Sequence, residues 1–134
     1  MRGPLAPSGV PIVTSASDRF DRIASEAIAH VEHRWRDQLA DVEFAVDLVP
    51  TIDPDVPVSD EIESAGVPLA RVFPASGTTR THIVLYRKPL ELRALDLTDL
   101  EDLVHDVVVQ IVADFLGLDP DVVDPGFGTE DDLP

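Results

Sequence analysis

The stretch Thr98–Gly117, TDLEDLVHDVVVQIVADFLG, decides how the rest of the chain is read. Leu100, Leu103, Val104, Val107, Val108, Ile111, Val112, Phe115 and Leu116 recur at helical spacing and cover more than one face, which predicts a largely enclosed helix. Thr98 and Glu101 have the spacing of a capping box at its start. Gly117 is the expected stop, since glycine enters the left-handed conformation without strain. Asp106, Gln110 and Asp114 fall at i, i+4 and i+8, so their side chains share one stripe of an otherwise apolar helix. Whatever faces that stripe is polar, wet or chemically occupied.

Working outward, THIVLY at Thr81–Tyr86 is rich in β-branched and aromatic residues and predicts a strand. Pro89 then opens a short helical turn through about Leu95. A first helix is expected from about Phe20 to Leu39, capped by Ser17 or Asp18, with Phe20, Ile23, Ala27, Ile28, Val31, Trp35 and Leu39 as its apolar stripe. In Val42–Pro50 the residues Val42, Phe44, Val46 and Leu48 alternate with polar or small ones, the period of a half-exposed strand. Residues 51–66, TIDPDVPVSDEIESAG, are proline-rich and acidic and predict a surface loop. A short turn is expected at Pro120–Val123, followed by a loose acidic end. The division is a flexible arm (1–16), one domain (17–118) and an acidic tail (119–134). The fold class is α+β, two main helices on a small mixed sheet, in the order helix, strand, strand, strand, helix.

Composition bounds the function. The 134 residues suffice for one modest core, and 44% hydrophobic content favours a folded chain. With no cysteine there is neither a disulfide framework nor a thiolate metal site. No apolar run approaches the roughly 20 residues that cross a bilayer, and the prolines in MRGPLAPSGVPIV make a poor signal peptide. A soluble, cytoplasmic protein is expected. A net charge of −16 argues against nucleic acid and against anionic membrane surfaces. Arg71, Arg80, Arg87, Lys88 and Arg93 gather in the centre of the chain, either as a patch for an acidic peptide or as cations that protect a strand edge.

The order of a strand, the segment LYRKPL (Leu85–Leu90), a linker and a long apolar helix ending in Gly117 resembles the small single-domain bacterial zincin-like metallopeptidase family. In that family the strand ends in a similar LY-x-x-PL segment and the helix carries H-E-x-x-H-x-x-G-x-x-D. Ile83–Leu90 and Asp106–Asp119 line up with the pattern without a gap. Phe20–Leu39 and Val42–Pro50 look like the family's first helix and first strand, and VPLAR (Val67–Arg71) like the segment before its central strand. The resemblance implies a minimal zincin-like domain. It also places Gln110 and Asp114 at the two histidine ligands, Ile111 at the catalytic glutamate and Pro120 at the third ligand, with Asp119 and Asp121 on either side.

Zinc hydrolysis needs neutral imidazoles one helical turn apart and a carboxylate to take a proton from the metal-bound water. Gln110 is a poor ligand and Ile111 accepts no proton. The expectation is therefore a degenerate member, a pseudoenzyme without cofactor, whose cleft, lined by Asp106, Gln110, Asp114 and Asp119, binds a peptide or protein. The alternative is a divergent hydrolase with a divalent metal held by Asp114, Asp119 or Asp121 and a distant His82, an oxygen-rich set that favours magnesium, calcium or manganese. Of the remaining histidines, His30 and His33 stand at i, i+3 with Glu26 one turn earlier, and fit either a metal site or the solvent side of the helix. His105, next to Asp106 but off the polar stripe, reads as a rim residue or a contact between elements rather than as a site. A glycine-rich phosphate loop and a G-x-S-x-G elbow are both missing from the sequence.

Overall fold

The computed structural model describes residues 16–127. Expectations for the arm at 1–15 and the acidic end at 128–134 lie outside the described residues. The elements are α1 (Ala16–Arg34), β1 (Val42–Asp47), β2 (Asp60–Ser64), β3 (Val67–Phe73), β4 (Thr81–Tyr86), α2 (Arg87–Arg93), α3 (Leu97–Leu116) and α4 (Pro120–Val123). The result is a small α+β domain.

The four strands form one sheet in the order β1-β4-β3-β2. β1 runs parallel to β4, with Phe44 opposite Ile83, while β3 is antiparallel to both β4 and β2. Alternation along β3 and β4 sends Ala70, Val72, Ile83 and Leu85 toward the helices, where all four are fully buried. α3 lies across β2 and β3, and α1 packs beside it toward β1. Between helices and sheet, Phe20, Val31, Val104, Val108, Ile111 and Val112 fill the core. A core built mostly from valine, leucine and isoleucine agrees with the many apolar positions of α3.

Several boundaries differ from expectation for identifiable reasons. α3 is capped by Asp96, whose side chain accepts from the Asp99 amide at 2.8 Å, while Asp99 accepts from the Leu95 amide. The helix thus begins two residues before the Thr98–Glu101 box, because an aspartate two positions upstream reaches the free amides first. Its other end is as expected: Gly117 is left-handed, φ 71°. α1 stops at Arg34, and Trp35 and Leu39 continue the apolar spacing in turns, with Leu39 bonded to the Trp35 carbonyl at 3.0 Å.

The predicted loop 51–66 contains β2, so the described residues form four strands where three were expected, and VPLAR belongs to β3 itself. β2 is an edge strand of charged residues, held by pairing to β3 and by an Arg71–Glu61 ion pair at 2.7 Å. Residues 51–58 lie against the sheet face opposite α3, beside Arg71, Phe73 and Val84, rather than over the α3 stripe. Arg71 fastens them there by donating to the Thr51 carbonyl at 2.9 Å. The short turn expected at Pro120–Val123 is α4, which seats Val123 in the core. Trp35 Nε1 donates to the Val123 carbonyl at 2.8 Å and secures it.

Candidate functional site

Two sides of α3 carry polar chemistry. One is the stripe singled out in the sequence. Asp106 and Gln110 are half-buried and Asp114 is exposed, on a helix whose middle otherwise packs largely into the core. The stripe looks toward the β2 edge: burial, and after it the charge of Asp60, raises the Asp114 carboxyl above its ordinary pKa. Two carboxylates, one from α3 and one from β2, thus lie close enough to repel one another.

A zinc ion does not fit the donor set at the positions implied by the resemblance. Gln110 offers a neutral amide oxygen, Asp114 one carboxylate, and Pro120 no side-chain donor at all. Ile111, at the general-base position, is 0% exposed and part of the core cluster. Asp119 and Asp121 are exposed at the start of α4. His82 pairs with Glu43 at 2.9 Å on β4 and β1. Among the described residues, Asp114, Asp119, Asp121 and His82 are not brought together as a metal-ligand group.

The other side is a cluster with no local signature in the sequence. His105 and Asp114 are nine residues apart, about 180° around the helix, so His105 faces away from the stripe and toward α1. There His105 Nε2 stands 2.6 Å from Asp124 Oδ2. Since an ionised carboxylate only accepts, the imidazole carries the proton on Nε2 and donates. His30 Nε2, from α1, lies 3.6 Å from the same oxygen. The two imidazole centroids are 5.3 Å apart.

Asp124 is 8% exposed, and its other oxygen accepts the Gly126 amide at 3.0 Å. Burial alone would raise its pKa, but the Gly126 amide, the His105 hydrogen bond and the charges of His105 and His30 outweigh burial and hold it below the usual range. A cleft of about 230 Å³, bordered by Glu26, His30, Glu101 and His105, opens beside the cluster.

The pairing of His30 with His33 does not form. His33 turns to Arg36, whose Nη2 lies 3.5 Å from its Nδ1. His105 is the contact between elements that its position off the stripe implied. The missed residue is Asp124, expected in the loose end of the chain. The only hint was its place just after the apolar pair Val122-Val123. Of the basic residues of the centre, Arg71 engages Glu61 and Arg87 engages Glu91.

A family model described as zincin-like metallopeptidase matches residues 39–127, about two thirds of the chain. No curated protein matches it in sequence.

Proposed function

The chain belongs to the zincin-like metallopeptidase family, and we propose that this member has given up zinc hydrolysis at the family position and uses the cleft between α3 and β2 to bind an extended segment of a partner. The observation that carries this reading is the content of the helix positions themselves. A general base cannot act from Ile111, an apolar side chain closed in the core. The ligand positions hold Gln110, Asp114 and Pro120, which supply one good oxygen donor among three.

Recognition needs less than catalysis. Among the described residues β2 pairs only with β3, and an outer edge of this kind can accept a further strand, with main-chain hydrogen bonds providing affinity. The mutual repulsion of Asp60 and Asp114 beside that edge is relieved by a positive charge, so the fitting partner is an extended peptide with lysine or arginine.

Two measurements test this. Incubation with a broad set of quenched fluorescent peptides and added zinc should give no cleavage; cleavage abolished by Asp114→Ala would overturn the reading. An array of extended peptides should enrich basic sequences. Asp60→Lys should weaken the selected peptides about tenfold, the scale of one charge pair lost from an interface. Peptide binding indifferent to Asp60→Lys would remove the cleft from the proposal.

A further inference from the structure

We propose that His30, His105 and Asp124 bind a divalent transition-metal ion of the zinc class, on the opposite side of α3 from the position the family uses. One ligand atom from each of the three residues lies within 4.8 Å of the other two. A tetrahedral ion with bonds of 2.0–2.1 Å holds its ligands about 3.3 Å apart. The separations here are 2.6 Å for His105 to Asp124 and 3.6 Å for His30 to Asp124, so they bracket that spacing. Small rotations of side chains that are partly free on their outer sides suffice to adopt it.

The donor chemistry selects the ion. Two imidazoles and one carboxylate suit zinc and its neighbours, whereas magnesium and calcium prefer oxygen alone. On binding, the proton on His105 Nε2 passes to solvent and the freed lone pair becomes a ligand. Asp124 is the oriented member, since its second oxygen is held by the Gly126 amide and the segment before it by Trp35. The fourth position opens onto the adjoining cleft, where Glu26 and Glu101 add negative potential.

The three ligands come from α1, α3 and the segment after α4, so the ion ties the two long helices to the C-terminal part of the domain. His30 precedes the segment that matches the family, residues 39–127. The site is therefore assembled from both the family core and the helix before it. It rests on different residues from the reading of the α3–β2 cleft, and either can fail alone.

The test uses the full-length, untagged chain, stripped with chelator and titrated with zinc chloride by calorimetry, with thermal unfolding followed in parallel. One ion per chain is expected, with a Tm rise of about 10 °C at a hundredfold excess over Kd and no rise with magnesium chloride. His30→Ala removes a largely exposed side chain and should leave the fold intact while weakening zinc at least about tenfold. His33→Ala and Asp114→Ala should bind zinc as the parent does. Cobalt chloride should give the visible bands of a low-coordinate ion, lost in Asp124→Asn. Failure of the parent chain to bind zinc overturns the proposal. So does zinc binding that His30→Ala leaves as tight as in the parent, whether or not Asp114→Ala abolishes it.

Discussion

Asp114 is an acid kept where its charge is disfavoured. Its folded pKa is raised by burial and by Asp60, so the native state holds the proton more tightly than the unfolded chain does. Stability from this group is therefore full below the ordinary carboxylate pKa and lost as pH rises through the folded value. Asp114→Asn should stabilise the protein at pH 7 by less than about 1 kcal/mol, given its exposure, and the gain should vanish in acid melts. Glu61 works the other way: its hydrogen bond from Arg71 lowers its pKa, so its contribution is present above the ordinary value and lost as pH falls through the folded one. Glu61→Gln should cost about 0.5 kcal/mol at pH 7 and nothing in acid, by denaturant unfolding at both. At Ala65, φ is 53° beside Gly66 at 80°, a turn that prefers asparagine first. Ala65→Asn should raise stability by about 0.5–1 kcal/mol. Single residues were legible in the sequence when a periodic element carried them, as with Gln110 and Asp114. Asp124 was not, because its meaning depends on imidazoles from two distant helices.

Among the elements, α3 was the most legible: twenty residues whose apolar spacing survives folding almost unchanged. Its start was misplaced because two competing cap sequences lie within a few residues, and side-chain reach decides between them. Asp96→Ala should cost about 1 kcal/mol, whereas Thr98→Ala, inside the first turn, should cost less than half of that; equilibrium urea unfolding of both variants separates them. β2 was hidden for a different reason. Its sequence, DEIES, has one strongly apolar residue, and strand formation there depends on β3 and on Arg71 rather than on local preference. The end of α1 was overrun because Trp35 and Leu39 keep the helical spacing of buried side chains while the backbone has already turned. Periodicity reports burial, and burial outlasts the helix here by several residues.

At the scale of the molecule, one helix separates two polar regions of unlike character. Toward β2 there are opposed acids; toward α1 there are imidazoles around a buried carboxylate. Amino-acid order made the first region visible and left the second to topology, which brings α1, α3 and the segment after α4 to one place. The overall charge of −16 was informative about excluded partners and silent on this arrangement. Burial at Ile111 limits what that position can accept. The resemblance sets it at the family's general base, and it is closed among the core side chains. A single change of Ile111→Glu would bury an unpaired carboxylate at a cost of several kcal/mol, comparable with the whole stability of a small domain. On the proposed reading the position therefore acts as a ratchet: with the core packed around isoleucine, the surface toward β2 is freer to be remodelled than this position is to take up a general base.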